Sequence, residues 1–483
     1  MGNLQNLLGP FKGILHTDLV GLKMTCEMEL PRASKQLRRI NRSDGHYKSS
    51  AEQHRDDLFQ DPSRIGVFVE QYLRDAHRSP LSMAVRTHAD GSTSITHDPA
   101  EYLPLIRNIV SAPMSVRQNL PPPFDGRAVD PTASMDVRDR GCLPEWWSTV
   151  YDRQAKGVPD STFAHTMRRT TPDEVWSQGV FPAKGGVSPG HDGCDADLWK
   201  LITKHDGSSA THPKCLLVLT RFANWCLTLG HVPKYLKHGW ITMVPKPRKD
   251  GSFTNTAGEM RPITVLPEMG KIISRILASR LSQTLTRPGN LRLLSSAQRG
   301  VIRDGSADQC VDTLLDAIED WHHRKDGSDL FALSYDQSKA YDSVQGYSIR
   351  ASLERFNMPE IFIRYVLSGL RGATSRVRTA GGLTESFDLQ SSVRQGDPLA
   401  PLIFALFTDP YHEGLVNNPM VDSSGWGYTF NTTDGEKLRV CSSGYVDDAA
   451  ALATSTEAVQ GMHLWAREFY GAHCSACLKL LKD

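Results

Sequence analysis

A β-hairpin with charged residues at its turn is the clearest feature in the pattern of apolar and polar positions. The segment from Lys437 to Val446 has the composition of a strand. The apolar run from Ala449 to Ala453 predicts the returning strand. Asp447 and Asp448 therefore lie side by side at a tight turn between two predicted strands.

A third carboxylate stands in a matching setting farther upstream. The largely apolar run from Leu330 to Tyr335 predicts another strand, and Asp336 follows it directly. A carboxylate at the end of one strand and a carboxylate pair at the tip of a neighbouring hairpin can converge on one face of a sheet. We therefore expect Asp336, Asp447 and Asp448 to form one acidic site.

Such a site favours a divalent cation. Adjacent carboxylates repel one another and lose solvation when they are partly buried, unless a cation neutralises them. An isolated Asp-Asp pair is more typical of an ordinary exposed turn, so it is the third carboxylate that favours a metal here. Hard oxygen ligands suit Mg²⁺, and two ions about 3.5–4 Å apart can align an attacking and a leaving oxygen. The implied chemistry is nucleotidyl transfer.

The N-terminal part of the chain has a weaker pattern, in which helical segments alternate with breakers. The expected elements are a loosely ordered polar segment (1–80, partly helical at 62–76), a strand and turn (85–91), a helix (98–109), a linker (115–145) and a helix-rich segment (146–229, chiefly 199–229).

Composition adds limits rather than a function. The chain has 483 residues, 39% of them hydrophobic, which is enough for cores in roughly two to four domains. Its 55 basic and 54 acidic residues nearly cancel, so attraction to nucleic acid must come from local basic patches. Nine cysteines without a secretory signal indicate reduced thiols inside the cell, in the nucleus or cytoplasm. Cys474 and Cys477 have no second pair at zinc-ribbon spacing, and no stretch is long enough to span a membrane.

Several sequence blocks, which follow one another along the chain in the family's order, resemble the reverse transcriptases and, among them, the non-LTR (LINE-type) retrotransposon branch. The block from Asp336 to Tyr341 resembles the first metal-binding palm motif, and Tyr445 to Asp448 resembles the tyrosine-x-aspartate-aspartate motif. The remaining blocks are Ser188 to Gly193, Ile241 to Pro247, Arg261 to Ile263, the helix from Gly270 to Leu277, Gln298 to Gly300 and Val393 to Phe404.

The resemblance implies an α+β fold with the fingers and palm of a right-hand polymerase, in which helices flank an antiparallel palm sheet. The implied divisions are an N-terminal segment (1–80), an N-terminal extension and linker (81–145), a helical fingers extension (146–229), fingers (230–325) and palm (326–483). Because the sequence ends at Asp483, soon after the start of a further palm motif, we expect a C-terminally truncated chain with the thumb missing.

The resemblance also assigns the carboxylates and the nucleotide site. Asp336, Asp447 and Asp448 are the expected catalytic residues and ligands of two Mg²⁺ ions, with Mn²⁺ as the alternative ion. Tyr341 is expected under the sugar of the incoming dNTP, where its ring would exclude a 2′-hydroxyl; the alternative for a lone Tyr is core packing. Lys246 is expected to grip the triphosphate.

Further contacts follow from the other matched blocks. Arg261 is expected to assist Lys246, beside a mobile hairpin tip between residues 248 and 259. Gln395 and Gly396 are expected near the nascent base pair, and Asp397 as the N-cap of a helix that runs to about residue 415. The expected template or primer contacts are Arg394, Tyr445 and Gln298.

Two functions of different class stay open at this stage. The first is an RNA-directed DNA polymerase that uses dNTPs, an RNA template and a DNA primer. The second is a catalytically incompetent retrotransposon remnant that at most binds nucleic acid. Synthesis of RNA on an RNA template is a third alternative, closer to the first function, but Tyr341 and the Tyr-Val pair before Asp447 disfavour it. Group II intron and telomerase enzymes are also relatives, although residues 394–404 resemble the LINE version most.

Overall fold

The computed structural model describes residues 81, 83–87, 92–114, 150–204, 212–246, 257–287, 293–301, 305–324, 329–337, 339–389, 391–417, 426–431, 437–473 and 478–480. For Thr87, Ala155, Asp336, Ala472 and residues 478–480 it describes the backbone alone. The predicted polar segment 1–80, the predicted linker 115–145, most of the hairpin tip 248–259 and the Cys474–Cys477 pair lie outside the described residues.

The α-helices of the described residues are distributed along the whole of this part of the chain. They are α1 (Pro99–Ser111), α2 (Arg153–Lys156), α3 (Pro172–Glu174), α4 (Ala196–Ile202), α5 (Lys214–Leu229), α6 (Lys234–Lys237), α7 (Glu268–Leu285), α8 (Ala307–Arg324), α9 (Ala340–Ser343), α10 (Gly346–Arg355), α11 (Glu360–Leu370), α12 (Ala400–Val416) and α13 (Thr456–His473). A π-helical segment (Val175–Val180) continues α3, and short 3₁₀ segments cover Ala112–Met114 and Ala257–Glu259.

The strands are mostly antiparallel to their neighbours. They are β1 (Ala84–Thr87), β2 (Thr93–Thr96), β3 (His238–Val244), β4 (Arg261–Val265), β5 (Phe331–Gln337), β6 (Ala373–Thr379), β7 (Gly382–Leu383), β8 (Phe387–Leu389), β9 (Tyr428–Asn431), β10 (Lys437–Val440), β11 (Ser442–Tyr445), β12 (Asp448–Ala453) and β13 (Leu478–Leu480). The predicted α+β class is confirmed.

A four-stranded sheet in the order β11-β12-β5-β13 is antiparallel throughout. Because side chains alternate across a strand, β12 presents Ala451 and Ala453 to the largest apolar core, and Leu452 to the opposite face. Helix α13 packs against β12 and β5, and helix α8 packs beside β11. Leu452 joins Ala317 of α8 and Tyr428 of β9 in a small cluster. The sheet is thus covered by helices on both faces.

The second large sheet has five strands, in the order β4-β3-β6-β7, with β8 also paired to β6. Strands β3 and β6 are parallel, and the other pairs are antiparallel. Helix α1 covers this sheet with Tyr102, Ile106 and Val110. Since β6 to β8 lie after residue 326, the predicted division at 325/326 does not separate the two sheets.

Two predicted elements near the acidic hairpin have different outcomes. The apolar run from Leu402 to Phe407 is buried in α12, whose end at Val416 agrees with the predicted end near residue 415. The single strand predicted from Lys437 to Val446 is wrong, because the chain divides at Cys441 into β10 and β11, which belong to different sheets. The reason is tertiary: the Cys441 carbonyl accepts a hydrogen bond from the Leu452 N–H, while β10 pairs with β9.

A buried ion cluster ties the α2 segment to the helices under the four-stranded sheet. The Asp409 carboxylate of α12 is fully buried and binds Lys156 Nζ at 2.9 Å and the Arg355 guanidinium. Burial alone would raise the pKa of Asp409, but the two cations hold it below its usual value. Removing one partner of such a cluster leaves an uncompensated charge in the core, so these contacts fix how the helices pack.

In the part of the chain that the structure describes, no helix combines the length and the apolar character needed to cross a lipid bilayer.

Candidate active site

The β11–β12 hairpin places the two adjacent carboxylates at the end of the four-stranded sheet. Tyr445 pairs with Asp448, so Val446 and Asp447 form the turn. Asp448 is exposed, Asp447 is half-buried, and Tyr445 is 39% exposed. Val446 has a φ of +60°, which is rare for a β-branched residue. The sequence prediction of a tight turn is thus confirmed, and the turn is a strained one.

Strand register brings the backbone of Asp336 to the same end of the sheet. Strand β12 pairs with β5 through Ala449 and Tyr335. Asp448 and Asp336 are the next residues of these two strands toward the hairpin turn, where facing Cα atoms of an antiparallel pair are about 4.5–5.5 Å apart. Among the described side chains, which include Asp447 and Asp448 but not Asp336, no group of three potential metal ligands is found.

The donor chemistry of this end of the sheet fits a hard divalent cation. Asp447 and Asp448 supply carboxylate oxygens, and both side chains are at least partly open to solvent. Burying such a pair without a counter-charge would be costly, whereas a Mg²⁺ ion keeps several of its waters and needs only one or two carboxylates.

Tyr341 lies between the core and the carboxylates. Its ring stacks on Phe404 of α12 with 4.5 Å between centroids and an interplanar angle of 15°. Burial raises the pKa of Tyr341 above its usual value, and the nearby charge of Asp447 raises it further. The ring is therefore packed against the core and lies close to the acidic turn. Its expected place under the sugar of an incoming dNTP stays a prediction.

The Gln395–Gly396 segment crosses very close to β4. The Gln395 carbonyl accepts a hydrogen bond from the Thr264 N–H at 2.7 Å. Gly396 has a φ of +123°, and a Cβ at this position would collide with the Thr264 carbonyl oxygen. Glycine is therefore required here by the backbone approach of the two segments.

Asp397 does not have the predicted N-cap role. Helix α12 begins at Ala400 with Leu399 at the N-cap position and without a side-chain capping bond. The Asp397 carboxylate instead accepts the Leu399 N–H at 3.0 Å. The turn of residues 397–399 comes before the helix, so Asp397 lies two residues before the N-cap position.

Lys246 and Arg261 lie at the open ends of two paired strands. Lys246 is exposed just after β3, and Arg261 is the exposed first residue of β4, paired with Val244. No ion pair joins either of them to another residue that the structure describes. Both cations are therefore available to a ligand.

Arg394 is buried rather than placed for contact with a template or primer. Its guanidinium donates to the Lys237 carbonyl at 2.9 Å and to the Gly369 carbonyl. Burial lowers its pKa, while the neighbouring Asp397 favours the charged form. The predicted direct contact of Arg394 with template or primer is wrong for this structure, because its buried guanidinium binds the backbone of the α6 and α11 segments instead.

Gln298 is also fully buried, and the prediction that it contacts template or primer is likewise wrong for this structure. Its amide accepts hydrogen bonds from the N–H groups of Val446 at 2.9 Å and Gly300 at 3.0 Å. Its amide nitrogen donates to the Val446 carbonyl at 3.2 Å. The residue therefore contacts the acidic turn from behind, not from the solvent side.

Comparison with known proteins agrees with this geometry. Residues 244–476 match the family described as "Reverse transcriptase (RNA-dependent DNA polymerase)". Residues 244–476 are therefore similar to reverse transcriptase domains of the non-LTR retrotransposon type. All the sequence-predicted site residues, from Lys246 to Asp448, lie within the matched region.

The relatives that this chain matches are retrotransposon proteins. One is the "Retrovirus-related Pol polyprotein from type-1 retrotransposable element R2" of Popillia japonica, 30% identical over 200 residues, with 41% of this chain and 26% of the relative covered. The R2DM polyprotein of Drosophila melanogaster is 29% identical, with 44% of this chain and 20% of the relative covered. The "RNA-directed DNA polymerase from mobile element jockey" of Drosophila funebris is 24% identical, with 57% of this chain and 27% of the relative covered. The chain thus spans about a quarter of the length of these relatives.

Two residues of the matched region that sequence reasoning missed lie beside the site. Lys339 has a φ of +55° and donates through Nζ to the Met260 carbonyl at 2.9 Å, next to Arg261. Burial and the charge of Lys246 lower its pKa. Asp342 is buried, and burial raises its pKa to about 7, with Lys339 opposing the shift. Their signal was their position within or directly after the block from Asp336 to Tyr341, where only the first carboxylate and the aromatic residue were interpreted.

Proposed function

We propose that this chain is an RNA-directed DNA polymerase of a non-LTR retrotransposon, which adds dNTPs to the 3′-hydroxyl of a DNA primer on an RNA template. The observation that carries the proposal is the strand register, in which Asp336 and Asp448 are neighbours at the end of an antiparallel sheet, within a matched reverse transcriptase domain. The printed names of relatives such as the jockey element protein support the same activity.

In this proposal the four-stranded sheet is the palm, and the strands β3 and β4 belong to the fingers. Asp336, Asp447 and Asp448 would hold two Mg²⁺ ions, which when bound neutralise charge on the reacting phosphates and lower the pKa of the primer hydroxyl. The primer 3′-hydroxyl loses its proton to solvent, its oxygen forms a bond to the α-phosphorus, the bond from that phosphorus to the bridging oxygen breaks, and pyrophosphate leaves. Asp448 is exposed and Asp447 is half-buried, so both carboxylates retain some contact with solvent.

The cations of the neighbouring sheet would bind the triphosphate. Lys246 and Arg261 are exposed, and Lys339 joins the Asp336 strand to the Met260 carbonyl next to Arg261. Positive charge at these strand ends would offset the negative charge of the triphosphate and favour its binding. The Tyr341 ring, stacked on Phe404, would form the wall that separates dNTPs from ribonucleotides.

A primer-extension assay on poly(rA)/oligo(dT) with Mg²⁺ and dTTP tests the proposal. We expect extension by the wild-type chain and its loss in Asp447→Ala. The matched control is Asp388→Ala, an exposed carboxylate on β8 of the other sheet, which should retain activity. Absence of extension by the wild type, with a folded protein, would favour the remnant that only binds nucleic acid. Extension that survives Asp447→Ala would contradict the proposed mechanism.

A further inference from the structure

The Gln298 amide uses all of its hydrogen-bonding capacity. Its oxygen accepts from the N–H groups of Val446 and Gly300, at 2.9 and 3.0 Å. Its nitrogen donates to the Val446 carbonyl at 3.2 Å and to Thr408 Oγ1 at 3.3 Å. A primary amide has two acceptor sites and two donor hydrogens, so a fully buried Gln298 has no capacity left for an outside ligand.

The partner of this amide is the strained residue of the acidic turn. Val446 has a φ of +60° and comes immediately before Asp447. A β-branched residue in this region costs about 1–3 kcal/mol and persists only where its surroundings impose it. Gln298 binds both the N–H and the carbonyl of this residue, which is the arrangement that fixes a single peptide conformation on each side of Val446.

The segment that carries Gln298 is itself fixed against the hairpin. The Gly444 N–H donates to the Ala297 carbonyl, and the Arg299 N–H donates to the Gly444 carbonyl, both at 2.8 Å. A side chain at Gly300 has no room, because its Cβ would lie 2.6 Å from the Val446 nitrogen. Residues 297–300 therefore run alongside β11 as an additional edge and leave no gap behind the turn.

The other end of the segment is anchored in the core. The Ser295 N–H donates to the Asp409 carboxylate at 2.6 Å, and the Gln298 N–H donates to the Ser295 carbonyl at 3.1 Å. Asp409 belongs to the buried ion cluster with Lys156 and Arg355. A continuous set of short polar contacts thus leads from the helical core to the backbone of the acidic turn.

We propose that Gln298 is a positioning residue, which holds the Val446 turn in its strained conformation and thereby sets where Asp447 and Asp448 lie. The catalytic consequence rests on the proposed polymerase function, while the structural part concerns the turn alone. A misplacement of reacting groups by about 1 Å can cost about a hundredfold in rate. Loss of the hydrogen bonds between Gln298 and Val446 should therefore lower kcat and leave the binding of nucleic acid and nucleotide almost unchanged.

The test compares Gln298→Met with Gln298→Glu and with the control Thr408→Val. Methionine fills a similar volume but makes none of the four hydrogen bonds. Glutamate keeps the two acceptor sites, and its neutral form, favoured as pH falls, adds one donor. Thr408→Val removes the only amide partner that lies outside the turn and residue 300. Each variant is measured for amide hydrogen exchange in peptides that cover residues 442–449, for kcat and KM for dTTP, and for template-primer affinity.

We expect Gln298→Met to speed exchange at the Val446 amide by about tenfold or more and to lower kcat by about tenfold to a hundredfold. KM and template-primer affinity should stay within about twofold of the wild-type values. Gln298→Glu should retain more activity, increasingly so at lower pH, and Thr408→Val should resemble the wild type.

Unchanged exchange and kcat in Gln298→Met would overturn the proposal. Loss of template-primer affinity with unchanged exchange would overturn it in favour of direct contact with nucleic acid. If the wild type does not extend primers at all, the polymerase function fails, and the exchange measurement alone still decides whether Gln298 holds the turn.

Discussion

The acidic hairpin end of the four-stranded sheet and the basic strand ends of the five-stranded sheet are held in different ways. At the hairpin, both the N–H and the carbonyl of Val446 bind one buried amide, and the segment behind the turn is bonded to β11. At the ends of β3 and β4, Lys246 and Arg261 are exposed. Preorganised groups act on the transition state, whereas exposed surface cations act mainly on ligand binding. The two regions should therefore affect different kinetic constants.

Substitution of one charge in each region gives the largest expected effect. Asp448→Asn should lower kcat by about a hundredfold to a thousandfold, because it removes a charged group from the reacting centre. Arg261→Ala and Lys246→Ala should each raise KM for dNTP by about tenfold, the loss of one charge-assisted contact. Steady-state kinetics separate these effects, with Asp388→Ala as the control. A rise in KM alone for Asp448→Asn would contradict the expected difference between the two regions.

Tyr341 lies close to Asp447 in the acidic region and gives a smaller, more selective effect. Tyr341→Val shortens the wall beside Asp447, so the preference for dNTPs over rNTPs in kcat/KM should fall by about tenfold to a hundredfold. Tyr341→Phe keeps the ring and its stacking on Phe404 and should retain the preference. Competition between labelled dTTP and UTP measures both variants. Equal discrimination by wild type and Tyr341→Val would show that the ring is only a core residue.

The smallest expected effect is a pH dependence of stability from Asp342. Burial raises its pKa from 3.8 in the unfolded chain to about 7 in the folded one. The folded state therefore binds this proton more tightly, and the contribution to stability is present below pH 3.8 and is lost as pH rises through about 7. Asp342→Asn should raise the melting temperature by a few degrees at pH 8 relative to wild type, and by less at pH 5.

Thermal melts of wild type, Asp342→Asn and the exposed control Asp388→Asn check this expectation. A difference between Asp342→Asn and wild type that does not change between pH 5 and pH 8 would contradict the assigned titration.

The part of the site that follows local patterns could be predicted from the sequence. The turn at Asp447, the strand before Asp336 and the buried run in α12 each have a period or a composition that belongs to one element. The matched region 244–476 then agrees with the resemblance drawn from those blocks.

The parts that failed depend on contacts between distant segments. Nothing near Gln298 in sequence indicates that Val446, 148 residues away, binds both ends of its amide. The buried Arg394 likewise donates a hydrogen bond to the Lys237 carbonyl, 157 residues away. The division of the predicted strand at Cys441 arises because β10 finds its partner in β9, whereas β11 continues beside β12. Such outcomes are set by tertiary packing, which local propensity does not encode.

Direct measurement of Mn²⁺ binding by electron paramagnetic resonance tests the central claim, that Asp336 and the hairpin carboxylates form one cation site. The measurement compares folded wild type with Asp336→Asn, Asp448→Asn and the control Asp388→Asn, without nucleic acid. Asp336→Asn and Asp448→Asn should each weaken Mn²⁺ binding by about tenfold or more, and Asp388→Asn should bind as the wild type does. Wild-type affinity in Asp336→Asn, with loss only in Asp448→Asn, would contradict the shared site.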